Sequence, residues 1–311
     1  MIIVSLAGGL GNQMFEYATA RRLAHVRDVP LKLDLSGYSA KGDNRGHPGL
    51  DAFRRHVELL KLNISAEQAT PQEIASLKDP YSNTATLSRI VRRLRKIKPT
   101  LGWPATHFRE RGYHFDPEVL ELPASCYLSG FWQTEKYFID IMDIICREFA
   151  PRDPAIMEYA RNYVSALRTP TAAVVSVHVR RGDLAHAQET LKSAKVVHGP
   201  PTSLEYIHRA IGKFPPGSCK FLVFSDSAKD IAWCKENIKA DNLCFSEGHD
   251  AVQDMMLMSA CDHHIIYSTF SWWAAWLNRR PGRRVIAPSV FGYQGSVMAT
   301  EDFVPPDWEM I

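Results

Sequence analysis

Between residues 172 and 287 the chain alternates short apolar runs with stretches of helical periodicity, and few folds accept that alternation. Residues 172–179, 220–225, 264–267 and 284–287 are expected strands. Residues 203–213, 228–238, 250–261 and 268–278 are expected helices, after an earlier one at 155–168. A helix between successive strands gives the crossover that a parallel pair requires. The expected class is therefore α/β, with an open parallel sheet that binds ligands at its carboxyl strand ends.

The amino-terminal half begins the same way. Residues 2–7 read as a strand, Gly8-Gly9-Leu10-Gly11-Asn12-Gln13 as a tight turn, 14–27 as a helix and 30–35 as a second strand. Residues 36–125 are rich in Gly, Pro and charge and show no clear period. Pro151-Arg152-Asp153-Pro154 is the candidate linker. It divides 311 residues into 1–150 and 151–311, each about one domain in length, with the last residues free to pack back on the first domain.

Composition narrows the function classes. Hydrophobic residues are 45% and charged residues 23%, a globular balance. Lys and Arg exceed Asp and Glu by 37 − 34 = 3, too little for a nucleic-acid coat protein, so no nucleic-acid partner is expected. No apolar run approaches the roughly 20 residues of a membrane span. The first residues lack a basic stretch and read as a strand rather than a signal peptide. Cys126, Cys146, Cys219, Cys234, Cys244 and Cys261 are scattered and are expected to be reduced core thiols. The expected location is cytoplasmic. Arg89, Arg92, Arg93, Arg95, Lys96 and Lys98 form a basic run that suits the inner face of an anionic membrane; a solvated basic helix is the alternative.

Three stretches could carry chemistry. In the strand 172–179, alternation puts Val175, Val177 and Val179 on one face and Ser176, His178 and Arg180 on the other. An Arg fork at a carboxyl strand end suits a pyrophosphate; the alternative is a salt bridge from Arg180 or Arg181 to Asp183. Ser268, Thr269, Phe270 and Ser271 open the helix 268–278, where free N–H groups and hydroxyls make an anion site. Simple N-capping by Ser268 is the alternative there. Phe270, Trp273, Ala274 and Leu277 are its expected core face. Gly9-x-Gly11, with Asp34 downstream, approaches a dinucleotide fingerprint but has Met14 at the third glycine. The turn is better read as bringing Asn12 and Gln13 to a ligand cleft. Asp226 follows an apolar strand, and Asp254 could accept two N–H groups from a guanine or be a plain surface carboxylate. His263-His264 has the wrong spacing for a shared metal, and no metal site is expected.

Together these stretches resemble the bacterial α-1,2-fucosyltransferases of glycosyltransferase family 11. The resemblance rests on Gly8-Gly9-Leu10-Gly11-Asn12-Gln13-Met14-Phe15-x-Tyr17-Ala18, on His178-Val179-Arg180-Arg181-Gly182-Asp183 and on Ser268-Thr269-Phe270-Ser271-Trp272-Trp273-Ala274-Ala275-Trp276-Leu277, in family order. It implies a GT-B fold, two Rossmann-like domains facing a cleft, with acceptor on the first and GDP-fucose on the second. It also implies inversion without a metal or other cofactor. Arg180 would hold the β-phosphate, His178 would lie near the diphosphate, residues 268–271 would cradle phosphate oxygens and Asp254 would read guanine. Tyr267 stands where the family usually has Asn.

The expected reaction is transfer of L-fucose from GDP-β-L-fucose to a β-galactoside of an oligosaccharide or lipid-linked glycan. Arg180 gives electrostatic stabilisation, and Asp183, the first carboxylate beyond Gly182, acts as base. Gly9, Gly11, Asn12, Gln13, His178, Asp226, Asp254, Ser268, Thr269, Phe270 and Ser271 complete the expected binding set. The competing readings are a GDP-sugar-binding protein without catalysis, motivated by Tyr267, and a nicotinamide oxidoreductase, motivated by Gly9, Gly11 and Asp34.

Overall fold

A computed structural model describes residues 1–38, 56–78, 106–181, 202–293, 296–297 and 300–311. Asp183 and the basic run at 89–98 lie outside these residues. The chain divides into two α/β units, one of Met1–Gly8, Asn12–Val57 and Ile64–Ile145, the other of Gly9–Gly11, Glu58–Asn63 and Cys146–Ile311.

The first unit is built on β1 (Ile2–Ser5), α1 (Leu10–Val26) and β2 (Leu31–Asp34), followed by β3 (Glu67–Gln68) and α2 (Pro71–Leu77). Then come β4 (His107–Arg109), β5 (Cys126–Ser129) and α3 (Met142–Glu148). The strands form an all-parallel sheet in the order β3-β2-β1-β5-β4. Every residue of β1 is buried, as expected where both faces of a parallel sheet are covered.

The expected turn at 8–13 is shorter than the sequence suggests. Gly8, at φ +71°, makes the left-handed step, and α1 starts at Leu10, so Gly11, Asn12 and Gln13 are helical. Gln13 is fully buried and donates to the carbonyls of Gly8 (3.0 Å) and His56 (2.7 Å). Asp34, also fully buried, accepts from Tyr127, Lys78 Nζ (3.0 Å) and the Ser36 N–H (2.9 Å). Burial works to raise its pKa, but those hydrogen bonds prevail and leave it lowered. Both Asp34 oxygens are thus used inside the unit, which removes the ribose acceptor that a nicotinamide site needs.

The second unit contains α4 (Pro154–Leu167), β6 (Ala173–Val179), α5 (Leu204–Ile211), β7 (Cys219–Ser225), α6 (Ala228–Asn237) and β8 (Leu243–Phe245). It continues with α7 (Ala251–Ala260), β9 (His263–Ile265), α8 (Thr269–Leu277) and β10 (Val285–Ala287). A short hairpin, β11 (Gly292–Tyr293) and β12 (Ser296–Val297), then α9 (Thr300–Phe303) and β13 (Glu309–Met310) end the chain. The main sheet is parallel throughout, in the order β13-β10-β9-β6-β7-β8. Val175, Val177 and Val179 pack with Tyr206, Ile207 and Phe214 in the core under α5.

One boundary differs from the sequence expectation. Pro151–Pro154 lies inside the second unit rather than between units. Asp153 caps α4 through the Ala155 N–H (3.0 Å) and Pro154 occupies the first helical turn, where its missing N–H costs nothing. The last residues belong to the second unit. They complete the second sheet as β13, held by Ile311 N–H to Ala287 O (3.0 Å), while Trp308 packs on Trp272 with ring centroids 5.4 Å apart. The six cysteines are free thiols, and Cys126, Cys219, Cys234 and Cys261 are buried.

Candidate active site

The chain enters the second sheet at β6, adds β7 and β8 on one side, then crosses back to place β9 on the other. The gap beyond the carboxyl ends of β6 and β9 is therefore the switch point of the sheet, the usual place for a nucleotide. His178 and Arg180 reach this edge from β6, and α8 begins there after β9.

His178 is buried, and Nδ1 lies 3.1 Å from Ser271 Oγ and 3.2 Å from Ser268 Oγ. Burial pushes its pKa down to about 4, with Asp226 opposing and Arg180 adding to the shift. The imidazole is neutral at working pH. It offers hydrogen bonds but no positive charge to a phosphate. Ser268 caps α8 by accepting the Phe270 N–H (3.2 Å), and Ser271 Oγ accepts the N–H groups of Tyr267 (3.0 Å) and Ser268 (3.1 Å). Both serines are buried, with their oxygens occupied by the cap and His178.

Arg180 supplies the positive charge. Its main chain is clamped to Thr202, by Arg180 N–H to Thr202 Oγ1 and Thr202 N–H to Arg180 O, both 2.8 Å. Its half-buried guanidinium has no carboxylate partner among the described residues. Arg181 faces elsewhere, its guanidinium 3.8 Å from the centre of the Trp233 ring. Asp226 stands exposed just after β7.

Gly11, which falls in the second unit, lies against the Ser/Thr turn. A Cβ on Gly11 would stand 2.6 Å from the Phe270 nitrogen and 2.7 Å from Thr269 Oγ1, so only glycine allows this approach. The Trp273 indole N–H donates to Gly11 O at 3.0 Å. Gly11 therefore packs on the first turn of α8 within the second unit. Asn12 Oδ1 accepts from Gln133 (3.0 Å) within the first unit.

Asp254 lies on the first turn of α7, beyond β8. In the sheet β8 is two strand spacings, about 10 Å, from β6. It accepts from Ser246 Oγ at 2.7 Å, and burial, assisted by Asp250, raises its pKa to about 6 against that hydrogen bond. Sequence reasoning missed Ser246, His249 and Trp233, because contacts across the fold select them and no local spacing marks them.

Residues 61–311 match the sequence pattern of the Glycosyl transferase family 11. The chain belongs to glycosyltransferase family 11. An Alpha-1,2-colitosyltransferase of Escherichia coli is 33% identical over 100% of this chain and 99% of its own length. The O-antigen biosynthesis glycosyltransferase WbnK of Escherichia coli is 29% identical over 91% of this chain and 92% of its own. Galactoside alpha-(1,2)-fucosyltransferase 2 of Sus scrofa is 28% identical over 89% of this chain and 69% of its own. This family 11 chain is a glycosyltransferase built of two α/β units, each on a parallel sheet. Its unusual Tyr267 is a packing residue. The ring lies against the core, with centroids 5.8 Å from Tyr206 and 6.5 Å from Phe291.

Proposed function

We propose that the enzyme transfers L-fucose from GDP-β-L-fucose to the 2-hydroxyl of a galactoside, with inversion to an α-1,2 linkage and without a metal or other cofactor. The observation that carries this reading is the half-buried Arg180 guanidinium, without a carboxylate partner among the described residues, at the carboxyl end of β6 beside a neutral His178. The acceptor oxygen bonds to the anomeric carbon as the bond from that carbon to the β-phosphate oxygen breaks. The electron pair leaves with GDP, whose gain of charge Arg180 stabilises. A base takes the hydroxyl proton. Asp183, the proposed base, lies outside the described residues. Another carboxylate, Glu16 of α1, is buried and accepts the Ala7 N–H at 2.8 Å, which suits it to holding the glycine turn rather than touching an acceptor.

The guanine would lie toward Asp254 and the acceptor on the first unit. Among the described residues no helix is long and apolar enough to cross a membrane. We place the enzyme in the cytoplasm, with the 89–98 segment as its contact to the inner membrane face and a surface glycan as acceptor; the WbnK relative, named for O-antigen biosynthesis, supports that acceptor class.

A second reading has its own support, since the relative at 33% identity is named a colitosyltransferase. Colitose is fucose without the 3-hydroxyl, so one cleft geometry serves both. The test is turnover of GDP-fucose and GDP-colitose with lactose and related β-galactosides. Fucosyl transfer is expected; turnover confined to GDP-colitose moves the assignment to the second reading, and GDP binding without any turnover supports the non-catalytic one. With Arg180 and α8 supplying the charge stabilisation, activity is expected to survive exhaustive chelation. Loss with EDTA and recovery with Mg²⁺ or Mn²⁺ would overturn the metal-free mechanism.

Asp254 yields a prediction with opposite signs. Its raised pKa means that the folded state holds a proton between pH 3.8 and about 6 that the unfolded state has released. At pH 7 the buried ionised form therefore costs stability, a cost relieved as pH falls through 6. Asp254→Asn is expected to raise unfolding stability at pH 7 by about 1–3 kcal/mol while weakening GDP binding. Denaturant titration and calorimetry check both signs; a destabilised variant that binds GDP normally would refute the assignment.

A further inference from the structure

Beyond the carboxyl end of β8, side chains from three segments form one hydrogen-bonded file. Tyr159 Oη on α4 is 3.0 Å from His249 Nε2, His249 Nδ1 is 2.9 Å from Ser246 Oγ, and Ser246 Oγ is 2.7 Å from Asp254 Oδ1. Proton inventory fixes the direction. An ionised carboxylate only accepts, so Ser246 gives Asp254 its single hydroxyl proton. Ser246 Oγ then accepts from His249, which places the ring proton on Nδ1. With that proton on Nδ1, Nε2 can accept from the Tyr159 hydroxyl 3.0 Å away. Tyr163 closes the other side of the ring, its centroid 6.2 Å from that of His249 and nearly perpendicular to it.

The file ends on one carboxylate oxygen only. Asp254 Oδ2 has no partner among the described residues, although the side chain is 19% exposed. Oδ1 is thus held while Oδ2 stays open to a ligand. Holding Oδ1 fixes rotation about the Cβ–Cγ bond and so the plane of the carboxylate. An edge with a ring N–H beside an exocyclic amino group matches that plane. Adenine presents a ring acceptor instead, and hypoxanthine has the N–H without the amino group.

We propose that Tyr159, His249 and Ser246 are positioning residues that set the plane of the Asp254 carboxylate and thereby its selectivity for a guanine edge. The inference rests on the GDP-sugar reading above. The outer end of the file is accessible, since Tyr159 is 43% exposed. Removing its hydroxyl alters the file while leaving the ring contacts with His249 and Tyr163 in place.

The test is calorimetric binding of GDP and IDP to the wild type, Tyr159→Phe and His249→Phe, with melting temperatures measured alongside. The wild type is expected to hold GDP about tenfold to a hundredfold more tightly than IDP, the range for one hydrogen bond to a charged group. Both substitutions are expected to pull that ratio toward one, chiefly by weakening GDP, with the larger change in His249→Phe. Tyr159→Phe keeps the test decisive if His249→Phe fails to fold. An unchanged ratio in Tyr159→Phe, or a loss shared equally by GDP and IDP, would overturn the inference and leave the donor reading standing. Failure of the wild type to bind GDP would overturn both.

Discussion

Arg180→Lys is expected to lower kcat/KM for sugar transfer by about 30- to 1,000-fold, the equivalent of about 2–4 kcal/mol of lost transition-state stabilisation. The substitution keeps the charge, so the loss comes from geometry. A guanidinium presents two parallel N–H donors to a phosphate, whereas an ammonium is a point charge on a flexible stem. Little nearby can compensate. The main chain at Arg180 is fixed by β6 and by the paired 2.8 Å bonds to Thr202. His178 is held neutral by burial, and the Arg181 guanidinium is stacked on Trp233. Because charge develops on GDP as the glycosidic bond breaks, the loss should fall on kcat more than on KM. Wild-type kcat/KM in a purified, folded Arg180→Lys enzyme would remove Arg180 from the mechanism.

What could be read in advance follows from burial. The strands at 173–179 and 219–225 are seven residues each and buried along most of their length, so they stand out as apolar runs. Their flanking helices show expected ends because the caps are local: Ser203, Ser227 and Asp250 each accept an N–H from the first turn, that of Tyr206, Asp230 and Gln253 respectively. By contrast β4 and β8 are three residues each, too short to establish a period. The expected single core face of α8 was the wrong picture. Ser271 through Trp276 are all buried, so the helix has no stripe for a period to reveal. The same holds for α1, where Gln13, Glu16 and Thr19 are buried beside Phe15 and Tyr17. At the site, His178, Arg180 and the serine turn were legible because each belongs to one short motif. The approach of Gly11 to Thr269 and the file behind Asp254 were not, since they join residues 258 and up to 95 positions apart.

Trp273→Ala is expected to destabilise the protein by about 3–5 kcal/mol, seen as a lower denaturant midpoint. The indole is fully buried in an aromatic cluster, edge-on to Phe149, Trp272 and Trp276 with ring centroids 5.0–5.2 Å apart. Truncation removes that apolar surface and leaves a cavity which the neighbouring rings, themselves packed, can fill only in part. It also removes the donor to Gly11 O, one of the contacts that hold Gly11 on the first turn of α8. Trp273→Phe separates the two contributions. It retains an aromatic ring but not the N–H, and is expected to cost about 1–3 kcal/mol, part cavity and part the lost hydrogen bond. If the Gly11 contact also supports the donor site, Trp273→Phe will weaken GDP binding at temperatures where it is fully folded. A substitution elsewhere in the cluster, such as Trp276→Phe, should lower stability without that effect, because Trp276 makes no hydrogen bond to Gly11. Equal GDP affinity in wild type and Trp273→Phe would confine Trp273 to packing, and a wild-type midpoint in Trp273→Ala would contradict the structure of the cluster itself.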